Sequence, residues 1–150
     1  MYTGKIRIKQ KQKEKSKETS SGWAGWKVAR DKNNKKGEDI MEERMKNINK
    51  AEVLSLKEMI AYQEGQVVSR TLAQNDAVSL TLFSFWKGEE ISTHESGGDA
   101  MVQCLDGVGR ITIDGVEYEL HEGETIVMPA RHPHAVYGKE NFKMLLTVIF

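Results

Sequence analysis

Four histidines are the residues best suited to do chemistry in this chain, and all of them lie between positions 94 and 134. An imidazole can ligate a metal, move a proton or hydrogen-bond a small molecule near neutral pH. His94 and His134 each open a segment rich in β-forming residues, so a closed β-shell could bring them together. His132 precedes His134 by two residues in PARHPHAVYG, and an extended chain would send both side chains to one side. His121, in YELHEGE, adjoins the turn-forming Glu122-Gly123 and is expected to be solvated. The single cysteine, Cys104, shares strand parity with Ala100 and Val102 and reads as a small buried hydrophobe. One cysteine excludes an intrachain disulfide and a multi-cysteine zinc cluster, and a cytoplasmic location is the default.

The elements that would position these groups are strands. After Gly65 the segments QVVSRTL, AVSLTLFSFW, AMVQCL, GRITIDG, VEYEL, TIVMPA, HAVYG and FKMLLTVIF are rich in Val, Ile, Thr and aromatics. Asp106-Gly107, Asp114-Gly115 and Glu122-Gly123 recur at a spacing of eight. Asp-Gly favours tight hairpins, so residues 100–128 are expected to form a ladder of short antiparallel strands. Both prolines, Pro129 and Pro133, fall between strands. Many short strands without a long helix indicate an all-β sandwich or barrel. Ahead of them, Ser55 followed by Glu58 has the form of a capping box and predicts a short amphipathic helix to about Ala61.

Two stretches carry a resemblance. GEEISTHESGGDAMVQCLDG, residues 88–107, and GETIVMPARHPHAV, residues 123–136, resemble the paired motifs of the cupin superfamily. Gly88, His94 and Gly107 fall on the first motif, and Gly123, Pro129 and His134 on the second. The resemblance covers about residues 60–150 and implies a double-stranded β-helix, the jelly-roll barrel, around one divalent metal held by histidines and a carboxylate. It makes His94 the first ligand and His134 the last. Ser96 stands where the motif has its second histidine, Ala100 where it has the carboxylate, Arg131 for a glycine and Gly138 for an asparagine. His132 could complete a three-imidazole set for Fe, Zn, Ni or Mn, and Glu95 or Asp99 could add an oxygen if the Gly97-Gly98 pair forms a bulge. Ser96, Ala100, Val102, Met128 and Trp86 are expected around the pocket.

Two functional readings stay open at this point. One is a metal-dependent isomerase, lyase or dioxygenase with open coordination positions. The other is a metal-free module that binds or senses a small polar ligand through His94, Ser96 and His134. Fold alone decides neither.

The overall charge of zero conceals two unlike parts. Residues 1–40 hold 12 Lys and Arg against 5 Asp and Glu, a net +7, while residues 41–150 hold 10 against 17, a net −7. Residues 1–44 lack apolar periodicity and read as a disordered basic tail, with residues 45–150 as the domain. Trp23 and Trp26 would supply such a tail with stacking groups, but its basic residues follow no nucleic-acid-binding pattern, and no nucleic acid is expected. Purine-rich codons for Lys36-Gly37-Glu38 and Glu42-Glu43-Arg44 could serve as ribosome-binding sequences. A native start at Met41 or Met45 is therefore an alternative to Met1, with residues 1–40 as translated leader. The opening MYTGKIRIKQKQKEK is not followed by an apolar segment and is not expected to direct secretion, and no membrane association is expected. AMVQCL and FKMLLTVIF are apolar on both faces, which predicts a homodimer through sheet faces or edge strands.

Overall fold

The structure, a computed structural model, describes residues 43–150. The basic tail, apart from its last two residues, and Met41 lie outside that range. Seven strands follow one short helical turn: β1 (Val67–Gln74), β2 (Val78–Phe85), β3 (Glu90–His94), β4 (Asp99–Ile113), β5 (Val116–His121), β6 (Thr125–Met128) and β7 (His134–Ile149). The all-β expectation holds, and no helix among the described residues is long and apolar enough to cross a membrane.

Two strands are twice the expected length. AMVQCL and GRITIDG belong to the single strand β4, and HAVYG and FKMLLTVIF to the single strand β7. These strands pair antiparallel from Asp99 opposite Ile149 to Ile113 opposite His134. Each exchanges neighbours halfway along. The first half of β4 pairs with β6 and its second half with β5; the first half of β7 pairs with β3 and its second half with β2, which in turn pairs with β1. The inward faces of both halves share one core that includes Phe85, Val102, Ile111, Leu120, Val136 and Phe142. The sheet is thereby closed over itself.

Asp106-Gly107 is not a hairpin turn. It sits inside β4, where the register with β7 shifts between Cys104 and Asp106 and again between Gly107 and Gly109. Gly107 has φ +72°, and a Cβ there would run into the backbone carbonyl of Asn141. The Asp-Gly pair therefore makes a bulge that bends the strand. Asp114-Gly115 does form the β4–β5 hairpin, with φ of 50° and 80° at its two turn residues. Both φ values lie in the left-handed region, as a tight hairpin turn requires.

The expected helix is one 3-10 turn, Leu56–Met59. The Ser55 side chain makes no cap; its carbonyl instead accepts from the Glu58 N–H at 3.1 Å. The chain leaves the turn extended at Ile60, which is buried beside Leu72 and Leu82. Burial of Ile60 on the sheet stabilises the exit more than another helical turn would. Met45, Ile48, Leu56 and Met59 pack on the same cluster, against Leu105 and Leu145. Arg70 fastens this segment by donating to the carbonyls of Asn47 (2.9 Å) and Met59 (2.8 Å). The part of the second apolar face around Leu105 and Leu145 is thus covered by the chain's own residues 45–60, while Met101 and Ile149 stay exposed.

Gly107 and Gly115 separate two costs of adding a side chain. Both have positive φ, but only Gly107 faces backbone, while nothing lies within 4 Å of a Cβ at Gly115. Gly115→Ala is expected to cost about 1–2 kcal/mol, and Gly107→Ala about 3 kcal/mol or more because the neighbouring strand must move. Chemical denaturation of the two variants checks this; equal losses would contradict the bulge.

Candidate functional site

The site begins with a bulge in β3. Ile91 lies opposite Val136 of β7, but the next register pair is His94 opposite His134, with a shift between them. Regular alternation would send positions 91 and 94 to opposite faces. The bulge brings both Ile91 and His94 onto the wall of one cavity. The imidazoles of His94 and His134 meet edge to face, ring centroids 4.5 Å apart and planes inclined by 67°.

Each ring is fixed in the same local way. His94 Nδ1 donates to the Ser92 carbonyl at 2.8 Å, and His134 Nδ1 to the His132 carbonyl at 2.9 Å. A carbonyl can only accept, so both Nδ1 atoms carry hydrogen, and in the neutral rings both Nε2 atoms keep a free lone pair. His134 is 2% exposed whereas His94 lies exposed at the mouth. Burial pushes the His134 pKa below the ordinary histidine value, and the neighbouring His94 pushes the same way; the bond to the His132 carbonyl and the nearby Glu95 oppose the shift.

The cavity has a volume of about 340 Å³. Glu95, Ser96 and Ala100 line it beside the two histidines, and Phe83, Ile91, Met128, Val136, Met144, Leu146 and Val148 form an apolar wall. No lysine or arginine is among its lining residues. The structure therefore brings His94, His134, Ser96, Ala100 and Met128 together. Trp86 and Val102 do not reach the cavity. Val102 is packed in the core below it. Trp86 follows β2 with the parity of Leu82 and Ser84, opposite to the inward-facing Phe83 and Phe85.

His132 also stays outside. The strand begins only at His134, and Arg131 ahead of it has φ 64°, a left-handed residue that breaks the extended parity. The exposed His132 ring instead donates from Nδ1 to Asp114 Oδ2 at 2.7 Å. Asp99 is used elsewhere too, its Oδ1 accepting from the Ala130 N–H at 2.9 Å. His121 is exposed between Glu119 and Glu124. Cys104 is buried, and burial pushes its thiol up to about 11, which leaves it unreactive at neutral pH.

These donors do not fit a stably held divalent metal. Two imidazoles meet, but Ser96 and Ala100 supply neither a third imidazole nor a carboxylate, and the three-imidazole set with His132 is not assembled. Among the described residues no group of three or more His, Cys, Asp or Glu is placed to hold a metal ion. Glu95 shares the cavity wall but forms no three-residue ligand group with the histidines, and two neutral imidazoles alone are weak support for Fe, Zn, Ni or Mn.

The alternation of β7 from His134 could have located Val136, Met144, Leu146 and Val148, all even-numbered and all on the cavity wall. Ile91 and Glu95 carry no comparable signal, because their placement depends on the β3 bulge.

A family model described as a cupin domain matches residues 81–150. The chain is 47% identical to a conserved protein of unknown function from Streptococcus pyogenes, with 73% of this chain and 96% of that chain covered and a TM-score of 0.71. It is 38% identical to a cupin superfamily protein from Desulfitobacterium hafniense, over 72% and 99% of the two chains at a TM-score of 0.69. With a cupin 2 conserved barrel domain protein from Leptotrichia buccalis it shares 44% identity over 65% of this chain and 47% of that one, at a TM-score of 0.64. No curated protein matches the chain.

The lowered pKa of His134 sets a pH dependence. At pH 6.5, the ordinary histidine value, its ring is expected to be mainly neutral. The unfolded chain binds more protons than the folded one between the lowered value and the ordinary value. Stability from this residue is therefore full above the ordinary value and is lost as pH falls toward the lowered one. NMR titration of the ring checks the first point. His134→Gln should flatten the acid limb of the stability profile; an unchanged limb would contradict the assignment.

Proposed function

This chain belongs to the cupin family, and on that footing we propose that its barrel binds a small molecule which donates a hydroxyl or N–H group to the paired imidazoles. The observation that carries the reading is the pair of imidazoles lining one apolar cavity, each with Nδ1 bonded to a backbone carbonyl so that its Nε2 is the acceptor. Neutral His134, with hydrogen on Nδ1, offers Nε2 as an acceptor to a ligand hydroxyl. The apolar wall favours a hydrocarbon or aromatic body, and a volume of about 340 Å³ suits a compact ligand. Glu95 lines the cavity and no cationic side chain does, so the preferred ligand is neutral or positively charged rather than anionic.

A metal-dependent isomerase, lyase or dioxygenase is the second reading, favoured by His94 and His134 meeting on a cavity wall that Glu95 shares, and opposed by the lack of three grouped ligating side chains among the described residues. Calorimetry with phenol and benzoate as probes, beside elemental analysis of the purified protein, separates the two. The binding reading expects phenol to bind more tightly than benzoate, His134→Ala to weaken phenol by about 5- to 30-fold, and Fe, Zn, Ni and Mn to be far below one per chain. Stoichiometric metal, lost in His94→Ala and His134→Ala, would overturn it in favour of the enzyme.

We also propose a homodimer in the cytoplasm. The cytoplasmic location is supported by the lone, unpaired Cys104. Dimerisation is supported by Met101 and Val127, exposed cross-strand partners on β4 and β6, and by the exposed Ile149 and Phe150. Light scattering behind a sizing column should give twice the chain mass at micromolar concentration; a monomer would contradict it.

A further inference from the structure

His132 and Asp114 form a hydrogen-bonded pair beside the site that ligand binding leaves without a role. Both side chains are about half exposed, 51% and 49%, and an exposed pair of this kind adds little stability. Its geometry is more informative. Asp114 follows Ile113, the residue that pairs with His134 across the β4–β7 ladder. It occupies the left-handed first position of the hairpin turn, a conformation that Asp and Asn tolerate better than other side chains. From there it makes two bonds to the chain entering β7. Its N–H donates to the Pro133 carbonyl at 3.0 Å, and its Oδ2 accepts from His132 Nδ1 at 2.7 Å.

Between those two anchors lies the His132 carbonyl, the group that accepts from His134 Nδ1. The far end of the same loop is also held, where Ala130 N–H donates to Asp99 Oδ1 and Arg131 N–H to the Ser96 carbonyl, each at 2.9 Å. The His132 carbonyl is thus placed by a loop tethered on both sides, and Asp114 supplies the tether next to it.

We propose that Asp114 is a positioning residue for His134: by holding the His132 ring and the Pro133 carbonyl it fixes the carbonyl that keeps hydrogen on His134 Nδ1 and leaves Nε2 free toward the cavity. A polar partner on the non-binding nitrogen is a general means of setting tautomer and ring orientation. Its effect on affinity rests on the proposed binding function; its effect on the tautomer does not.

The test uses the full chain, with imidazole nitrogens observed by long-range proton–nitrogen NMR at a pH where His134 is neutral. Asp114→Gly keeps the left-handed turn and the N–H but removes the carboxylate. The His134 nitrogen shifts are expected to move from those of a single Nδ1–H tautomer toward a mixture, while amide signals away from the site stay in place. Asp114→Asn, which keeps an acceptor oxygen and suits the turn, should restore the single tautomer. Phenol affinity should fall by about 3- to 10-fold in the Gly variant and recover in the Asn variant. An Asp114→Gly protein whose His134 signals match those of the wild type would overturn the proposal. Failure of phenol to bind the wild type would sink the binding function, with the tautomer comparison still deciding the role of Asp114.

Discussion

The ladder between β4 and β7 holds the molecule together. Both strands span the two halves of the closed sheet, and every other strand is attached to one or the other, directly or, for β1, through β2. Such strands must bend without losing their register. The bulges around Asp106-Gly107 supply the bend, and only a residue without a side chain fits against Asn141 at Gly107. One end of the ladder pairs Ile113 with His134, so the strand that carries the core also delivers the buried imidazole to the cavity.

The site is economical in how it controls its chemistry. A buried imidazole is costly unless both nitrogens have a use. In both rings Nδ1 is satisfied by the carbonyl two residues earlier, so local backbone sets the tautomer and no carboxylate touches either ring from behind. What remains is one Nε2 acceptor on each of two residues that line an apolar cavity. Ser96 and Ala100 add no ligating group beside the histidines, and burial, by lowering the His134 pKa, favours its neutral, accepting form.

Much of this was legible in the sequence. β-Branched and aromatic runs identified the strands, Asp114-Gly115 identified a true hairpin, and the motif spacing brought His94 to His134 across forty residues. The errors share one cause, which is that tertiary context overrides a local signal. Asp106-Gly107 has the composition of a turn, but the continuous pairing of β7 across it makes it a bulge. The parity of His132 with His134 fails because Arg131 adopts a left-handed conformation and strand geometry begins only at His134. Trp86 lies just past the end of β2 on the parity of Leu82, which faces away from the cavity.

The central claim is that two imidazoles from distant parts of the chain touch inside the barrel. The most direct measurement is proton–proton cross-relaxation between the side chains of His94 and His134 in the ligand-free protein. With ring centroids 4.5 Å apart, cross-peaks between the two rings are predicted, together with contacts from His134 to neighbouring wall residues. Absence of any inter-ring cross-peak, with both rings assigned and the fold intact, would contradict the account.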